Sequence, residues 1–278
     1  MACLFVISTP IGNMEDISIR AINTLKHVDL ILSEDTRETQ KILSQHQIEV
    51  PQISYRDQNH SRVIDHIKSL LEQDKSVALV SDSGTPTISD PGFKLIRDIK
   101  LAGIPISSIP GPSAVITALS VSGLPTDNFT FLGFLPKKSS QMAKILLEFG
   151  GLATTLIMYE SPFRVRKLLE EIHKNLGNRV VCVAKDLTKK FESVETAPIE
   201  HFLKPENALK EKVLGLVCDG TGWGSDGAVW GCEILQGDYH GFERLSHLKY
   251  LPDPGGDLNA RKPYRMAMVY LLAALGES

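Results

Sequence analysis

Short apolar runs that alternate with amphipathic segments constrain the fold of this chain most. Five runs in the N-terminal part are brief, rich in Val, Ile and Leu, and bounded by Pro, Gly, Asp or Ser. Runs of this kind predict β-strands, at residues 3–8, 29–33, 53–55, 77–81 and 104–109. Between them, residues 59–73 place an apolar stripe at helical spacing, made of Val63, Ile64, Ile67, Leu70 and Leu71. The alternation predicts an α/β fold of βαβ units, with a largely parallel sheet covered on both faces.

A second α/β stretch follows a turn-rich connector at residues 123–128. Beyond the connector, the pattern predicts strands at 129–135, 154–159 and 179–184, one helix at 140–149 and another from Pro162 onward. We therefore expect a boundary near residues 115–125, which divides an N-terminal domain at 1–118 from a second domain at 119–212. A cleft between two α/β domains is a common place for a cofactor.

The composition changes sharply after residue 210. Both tryptophans, Trp223 and Trp230, and 11 of the 21 glycines lie beyond that point. Residues 1–210 carry 24 Lys and Arg against 24 Asp and Glu, whereas the remainder carries 6 against 9 and holds the whole net charge of −3. Such a change marks a domain boundary or a join between unrelated sequences. In this segment, 213–278, the pattern predicts strands at Val213–Val217 and 228–233, a glycine-rich loop at 219–227 and a helix at 264–275.

Several classes of protein are excluded by simpler features. The four cysteines are scattered, with no CxxC pair, which is typical of a reducing compartment and indicates neither a disulfide framework nor a metal site. The apolar N-terminus lacks a basic region and a cleavage site, so it predicts a first strand and not a signal peptide. No apolar run approaches the ~20 residues of a membrane span. We therefore expect a cytoplasmic protein.

Ligands of doubly wound sheets bind at the carboxyl ends of the strands, so the loops that follow the strands carry the candidate chemistry. The first loop, STPIGN at 8–13, lacks the GxGxxG spacing of a dinucleotide site. The second, EDTR at 34–37, places two carboxylates and a guanidinium at a strand end. It is equally compatible with a helix that Asp35 caps, with Glu38 three positions on.

The third loop, SDSGTPTISDPG at 81–92, is the most informative. Its glycines and prolines impose a backbone whose amides and carbonyls face a ligand, and Asp82 can accept hydrogen bonds from hydroxyl or ammonium groups. The alternative is a long turn in which Ser89 or Asp90, before Pro91, starts a helix. A fourth loop, PGPSA at 110–114, makes the amides of a helix N-terminus available.

These four loops and the segment YESPFR at 159–164 closely resemble the ribosomal RNA small subunit methyltransferase I family of the tetrapyrrole-methylase superfamily. The resemblance covers residues 3 to about 210, in order and at ordinary spacing. It implies two α/β domains with a cofactor cleft between them. It also implies S-adenosylmethionine-dependent 2′-O-methylation of a cytidine in 16S rRNA, on the 30S subunit, by a homodimer. The cofactor contacts that it implies are Pro10, Asp82, Gly84, Thr85, Ile88, Ser89, Ser113, Ala114 and Tyr159.

Catalysis needs help with the 2′-hydroxyl, which is a poor nucleophile at neutral pH unless a base takes its proton or a cation stabilises the alkoxide. The candidates are Glu34, Asp35, Arg37, Glu160 and Lys185, each of which also suits a structural role, and we select Asp35 and Arg37. Because residues 1–210 carry no net charge, RNA has to be held by local contacts. The candidates for these RNA contacts are Asn13, Lys137, Lys138, Arg164, Arg166, Lys189 and Lys190.

The C-terminal segment resembles a different family. DGTGWG at 219–224, with 226–233, 241–245 and 254–257, is similar to one stretch of the hydrogenase maturation carbamoyltransferase family. In that family the Asp-Gly-x-Gly loop belongs to an actin-like ATP-binding fold. Because only a fragment is present, we expect no carbamoyl transfer.

The methyltransferase family normally ends in a strand introduced by a Lys-Gly-Glu-type turn, and this chain departs from that pattern after about Leu209. We place a join near residues 208–213 and expect residues 212–217 to fill the edge of the second sheet. Two alternatives to rRNA methylation stay open. One is a methylase of a small tetrapyrrole on the same fold, and the other is an inactive RNA-binding relic with an altered C-terminus.

Overall fold

The computed structural model describes residues 2–204 with their side chains and, beyond them, the backbone of five strands between residues 213 and 247. The chain divides into two compact units, Met1–Leu203 and Lys204–Ser278. Within the described residues, no helix is both long enough and apolar enough to cross a membrane. The boundary expected near residue 118 stays a prediction.

The N-terminal part of the first unit contains a five-stranded parallel sheet. Its strands are β1 (Leu4–Ile7), β2 (Leu30–Ser33), β3 (Gln52–Ser54), β4 (Val77–Val80) and β5 (Ile106–Ile109), and their order is β3-β2-β4-β1-β5. All five predicted strands are confirmed. All four residues of β4, the central strand, are buried, as expected of an unbroken apolar run covered on both faces.

Helices cover this sheet on both faces. They are α1 (Ile19–His27), α2 (Thr36–Gln45), α3 (His60–Glu72), α4 (Phe93–Leu101) and α5 (Ala114–Val121), with a short 3-10 helix at Met14–Asp16. Alternate residues of a strand point to opposite faces, so Ala78 and Val80 join one apolar cluster and Val77 and Leu79 the other. The predicted stripe on α3 is confirmed by the burial of Ile64, Ile67 and Leu71.

The second part of this unit is also α/β. It comprises β6 (Phe129–Phe134), α6 (Ser139–Phe149), β7 (Thr155–Tyr159), α7 (Val165–Leu176), β8 (Val180–Lys185), β9 (Ser193–Pro198) and α8 (Ile199–Leu203). The helix expected from Pro162 starts at Val165, because Ser161 O first accepts from the backbone N–H groups of Arg164 and Val165 in a turn. β6 pairs with β7 in parallel and β8 pairs with β9 antiparallel, as two separate ladders among the described residues.

The described strands of the second unit correct two expectations. They are β10 (Val213–Val217), β11 (Gly222–Trp223), β12 (Val229–Trp230), β13 (Glu233–Asp238) and β14 (Gly241–His247). β10 pairs with β13, and the expectation that residues 212–217 extend the second α/β sheet stays a prediction. The strand expected at 228–233 is divided between β12 and β13, and the loop expected at 219–227 contains β11, which pairs with β12. The helix expected at 264–275 lies outside the described residues.

Candidate functional site

The loops that follow β1 and β4 are joined by a short antiparallel bridge. The backbone N–H of Thr9 donates to Gly84 O at 2.9 Å, and the N–H of Gly84 donates to Thr9 O at 3.1 Å. The buried hydroxyl of Thr9 also donates to Ser81 O at 3.0 Å. Because β1 and β4 are neighbours in the sheet, these contacts hold two predicted segments, 8–13 and 81–92, together at its carboxyl edge.

The loops at 110–114 and 34–37 contact these two segments. Ser8 Oγ lies 2.9 Å from Thr85 Oγ1, which in turn donates to Pro112 O at 3.3 Å. The backbone of Gly111 approaches Ser8 so closely that an added Cβ would lie 3.0 Å from Ser8 Cβ. From the loop after β2, the N–H of Asp35 donates to Asp82 Oδ1 at 2.9 Å. The structure therefore brings all four predicted loops into one site.

The loop at 81–92 has a strained backbone. Gly84, Thr87, Ser89 and Gly92 adopt positive φ values of 81°, 76°, 66° and 132°. For a β-branched residue such as Thr87 this conformation costs on the order of 1–3 kcal/mol, and such strain concentrates at functional sites. Gly92 precedes α4, which begins at Phe93. The alternative in which Ser89 or Asp90 starts the helix is therefore wrong.

A buried polar network lies beneath this loop. Tyr55 OH is 3.0 Å from His60 Nδ1, and His60 Nε2 is 2.9 Å from Asp98 Oδ2. Hydrogen bonds from Arg97 and then from His60 lower the pKa of Asp98 to about 2, whereas burial raises the pKa of Tyr55. The adjoining Asp57 accepts from the N–H of Gly92 at 3.3 Å. The sequence analysis missed this network, because its members lie on separate elements and no local spacing relates them.

Three carboxyl groups lie close together between the loops. Burial, and then the charge of Asp82, raises the pKa of Glu34. Burial, and then the charge of Glu34, raises the pKa of Asp90 to about 6, although a hydrogen bond with Ser81 opposes the change. Negative charges that raise the pKa of a neighbouring carboxyl group create a negative potential around it. The site therefore favours a ligand that carries positive charge.

The pKa of Asp35 is shifted in the opposite direction, downward. Its carboxylate accepts from Arg37 Nη2 at 2.6 Å, Arg37 Nε at 3.0 Å and the backbone N–H of Arg37 at 2.9 Å. These bonds hold the pKa of Asp35 well below its usual range. Asp35 is the N-cap of α2, which confirms the capping interpretation, while Glu38 pairs with Lys41 at 2.6 Å.

A carboxylate as acidic as Asp35 is a weak base at neutral pH. On this ground, Asp90 and Glu34 suit proton transfer better than Asp35. Arg37 keeps an 86% exposed side chain, which leaves it accessible to an anionic ligand. The catalytic roles of Asp35 and Arg37 stay predictions. Asp90 belongs to the third loop but was not selected, because the effect of the charge of Glu34 on its pKa depends on the fold.

A cavity of about 900 Å³ opens beside these loops, lined among others by Ile11, Ser83, Ala114 and Tyr159. Tyr159, at the end of β7, packs against Phe131 and Phe134 with ring centroids 4.8 and 5.5 Å away. Burial, and then the charge of Asp90, raises the pKa of Tyr159. The end of β7 therefore faces the loop at 81–92, as the resemblance implies.

The remaining predicted cofactor residues lie on the same loops. Pro10 is buried, Ile88 is 45% exposed, and Ser113 immediately precedes α5, which Ala114 begins. Ser89 reaches β6, where its hydroxyl lies 3.2 Å from the place that a Cβ on Gly133 would occupy. Seven of the nine residues thus lie on the loops after β1, β4 and β5, while Ala114 begins α5 and Tyr159 ends β7. Their contacts with a cofactor stay predictions.

Glu160 and Lys185, the other catalytic candidates, lie at the ends of β7 and β8. The side chain of Glu160 is only 4% exposed and lies 3.0 Å from Arg164 Nη2, while its other oxygen accepts from the N–H of Ser161 at 2.8 Å. Lys185 is half-buried as the last residue of β8. The contacts of Glu160 fit a structural role.

The candidate RNA contacts fall into two groups. Lys137 and Lys138 are exposed just before α6. Asn13 is exposed as well, although its side chain caps the 3-10 helix by accepting from the N–H of Glu15 at 3.1 Å. By contrast, Arg164 pairs with Glu160, and Arg166 donates to Glu170 at 3.2 Å and to Leu203 O at 3.2 Å. The lysines and Asn13 therefore offer the more accessible groups, and all five contacts stay predictions.

Comparison with known proteins defines the class. The family model for tetrapyrrole (corrin/porphyrin) methylases matches residues 3–203. Two solved structures share the fold at 16% identity. Uroporphyrin-III-C-methyltransferase from Thermus thermophilus aligns with a TM-score of 0.52 over 74% of this chain and 89% of its own. A cobalt precorrin-4 methyltransferase aligns with a TM-score of 0.53 over 71% of this chain and 86% of its own. The fold is that of the tetrapyrrole methylases.

Curated relatives narrow the class to one family. A ribosomal RNA small subunit methyltransferase I from Rickettsia prowazekii is 43% identical over 216 residues, which is 77% of each chain. A protein of the same name from Escherichia coli O157:H7 is 41% identical, over 77% of this chain and 77% of its own. Another, from a Hydrogenobaculum species, is 46% identical, over 76% of this chain and 93% of its own. This chain belongs to the ribosomal RNA small subunit methyltransferase I family, and it is a methyltransferase. The predicted family and fold class are confirmed.

The C-terminal segment matches a second family. Residues 215–278 match the model described as carbamoyltransferase, Kae1-like domain, second subdomain. This match confirms the resemblance of the segment to a carbamoyltransferase fragment. Residues 204–214 lie between the two matched stretches and contain the predicted join.

Proposed function

We propose that this enzyme transfers a methyl group from S-adenosylmethionine to the 2′-hydroxyl of a cytidine ribose in 16S rRNA. The observation that carries the proposal is the convergence of four strand-end loops, in a member of the ribosomal RNA small subunit methyltransferase I family, around Asp82 and Gly84. Within the proposal the enzyme is a cytoplasmic homodimer that acts on the 30S subunit.

The carboxylates of the site fit this cofactor. S-adenosylmethionine carries a sulfonium and an ammonium group, and both are favoured by the negative potential around Glu34, Asp82 and Asp90. Ile88 and Tyr159 offer apolar surface for a planar base. When bound, the cofactor supplies an electrophilic methyl group on a positively charged sulfur. The nine residues that the resemblance implies would hold it beside the cavity.

The residues around this site suit deprotonation of a ribose hydroxyl. With a pKa of about 6, Asp90 is ionised at neutral pH and is still a better proton acceptor than an ordinary carboxylate. The exposed guanidinium of Arg37 can neutralise an alkoxide or a neighbouring phosphate. Asp35, which holds that guanidinium by two side-chain hydrogen bonds, would orient it. Lys137 and Lys138 would contact phosphates at a distance from the reacting ribose.

The test is transfer of radiolabelled methyl groups from S-adenosylmethionine to 30S subunits and to free 16S rRNA, both from cells that lack the modification. Digestion to nucleosides should give 2′-O-methylcytidine as the labelled product. Calorimetry with S-adenosylmethionine measures cofactor binding separately. Binding without transfer to either RNA substrate would contradict the proposal and support an RNA-binding relic, whereas labelling of a tetrapyrrole instead would support a small-molecule methylase.

A further inference from the structure

The hairpin loop between β8 and β9, residues 186–192, lies against the candidate site. The hydroxyl of Thr188, in this loop, accepts from the backbone N–H of Asn13 at 3.0 Å. A Cβ added to Gly12 would lie 2.7 Å from Leu187 O and 2.8 Å from Thr188 Oγ1, so the two segments pack closely. Because Gly12 and Asn13 belong to the loop after β1, the hairpin loop is fastened to one of the four loops that form the site.

The conformation of the hairpin loop is fixed by its own contacts. Asp186 and Thr188 adopt positive φ values of 50° and 65°, which is uncommon for residues other than glycine. The N–H of Lys189 donates to Asp186 O at 2.9 Å, and the N–H of Glu192 donates to Lys189 O at 3.1 Å. The carboxylate of Glu192 accepts from the N–H of Thr188, and Asp186 pairs with Lys189 at 3.4 Å. Both acidic side chains of the loop are thus engaged within it.

The hairpin loop presents an exposed aromatic ring beside a cation. The side chain of Phe191 is 75% exposed. Lys190 Nζ lies 5.6 Å from the centroid of this ring, which is within the range of a cation–π contact, and Lys190 is exposed as well. The loop therefore offers a face for stacking and a positive charge at one place, next to the candidate site.

This combination is typical of binding to single-stranded nucleic acid. Unpaired bases stack on aromatic side chains, while basic side chains hold the phosphates. Because residues 1–210 carry no net charge, the phosphates have to be held by local groups, and Lys190 and the 54% exposed Lys189 are such groups. The chain neighbours of Phe191 are charged and exposed, which favours a polyanion with stacking bases over an apolar protein surface.

We propose that Phe191 stacks on an unpaired base of the substrate RNA, beside the nucleotide that enters the site, and that Lys190 contacts a phosphate of the same strand. This role rests on the proposed function, which makes RNA the substrate. The hairpin loop holds the strand at the edge of the site, because it is fastened to the loop after β1. The reacting ribose is left to the strand-end loops.

A binding experiment separates stacking from charge. The probes are two fluorescein-labelled dodecamers, one of cytidine ribonucleotides and one abasic with the same ribose–phosphate chain, titrated against the full chain and followed by fluorescence anisotropy. The unsubstituted chain should bind the cytidine dodecamer about tenfold more tightly, because stacking on an aromatic ring contributes about that much per base. Phe191→Leu should lose most of this difference, and Phe191→Tyr should keep it. No saturable binding of the cytidine dodecamer, or an undiminished difference in Phe191→Leu, would overturn the proposal.

Two controls test the charge and the exposure of the ring. Lys190→Gln should weaken the binding of both dodecamers alike and reduce the slope of log affinity against log salt concentration by about 0.7, and an unchanged slope would refute the phosphate contact. Phe191→Leu should leave thermal unfolding without RNA unchanged, since the ring is exposed. A marked loss of stability would mean that the ring packs within the chain, and would refute its role in stacking.

Methyl transfer to 30S subunits tests the same contact in the reaction. Phe191→Leu should raise the KM for 30S subunits about tenfold, while kcat and the affinity for S-adenosylmethionine stay the same, because the ring holds RNA and not the cofactor. Phe129→Leu is the matched control, at a 42% exposed position where β6 begins, and should change neither KM nor kcat. An unchanged KM in Phe191→Leu would refute the RNA contact. Absence of transfer by the unsubstituted chain would refute the proposed function instead, and the dodecamer experiment would then decide whether Phe191 stacks on RNA.

Discussion

Replacement of Asp90 by asparagine tests the electrostatics of the site. Burial, and then the charge of Glu34, raises the pKa of Asp90 from 3.8 to about 6. Because a tenfold change in an acid dissociation constant is worth about 1.4 kcal/mol, the ionised carboxylate destabilises the folded chain by up to about 3 kcal/mol. Asp90 is only half-buried, and solvent screening reduces this cost to about 1–2 kcal/mol.

The sign of the pH dependence follows from the raised pKa. The folded chain holds the proton of Asp90 more tightly than the unfolded chain does, so the stabilisation is fully present below pH 3.8 and is lost as the pH rises through about 6. Asparagine has no charge but keeps an oxygen that can accept from Ser81. We therefore expect Asp90→Asn to raise the free energy of unfolding by about 1–2 kcal/mol near neutral pH. The variant should also not lose this stabilisation as the pH rises through about 6.

Urea unfolding followed by circular dichroism, at several pH values between about 4 and 8, measures the effect. Asp65→Asn is the matched control, because Asp65 lies on the exposed face of α3, and it should leave the pH profile unchanged. The reasoning is refuted if Asp90→Asn lowers stability near neutral pH, or if its profile has the same slope as that of the unsubstituted chain.

Three other substitutions test packing, cofactor binding and catalysis. Gly12→Val would place its Cβ 2.7 Å from Leu187 O and should destabilise the fold by about 1–3 kcal/mol in thermal unfolding. Gly151→Val, with open space around it, is the control, and an equal loss of stability in the two variants would contradict the packing argument. Asp82→Ala should weaken S-adenosylmethionine binding about tenfold in calorimetry, and an unchanged affinity would argue against its role. Arg37→Ala should slow methyl transfer to 30S subunits by about tenfold or more, while the affinity for S-adenosylmethionine stays the same. A parallel loss of that affinity would place Arg37 in cofactor binding instead.

Much of the fold was predictable from local patterns. The run at 77–81 predicts a buried strand, and β4 is one because it has neighbours on both edges and apolar clusters on both faces. β9 was missed, since its sequence SVETAP is polar and largely exposed, as suits the edge of a ladder. The start of α4 was also misjudged, because the positive φ values of Ser89 and Gly92 keep the helix from beginning before Phe93.

The candidate site was predictable as a set of loops but not as a set of contacts. The four motifs are local in sequence, and strand-end loops of one sheet must meet at its carboxyl edge. The bridge between Thr9 and Gly84 and the link between Asp35 and Asp82 join residues far apart in the chain. Which group forms each bond depends on the register of the strands and on the loop conformations, neither of which a single sequence specifies.

The sequence by itself determined most of the strands of the body, the family to which the body of the chain belongs, and the change to a second family near its end. Apolar periodicity and local motifs are sufficient for these conclusions, because they reflect short-range geometry. Only the tertiary structure decided that Asp35 contacts Asp82 and that burial beside Glu34 raises the pKa of Asp90. Charge interactions, burial and strand pairing depend on distances in space between residues that the chain order keeps apart.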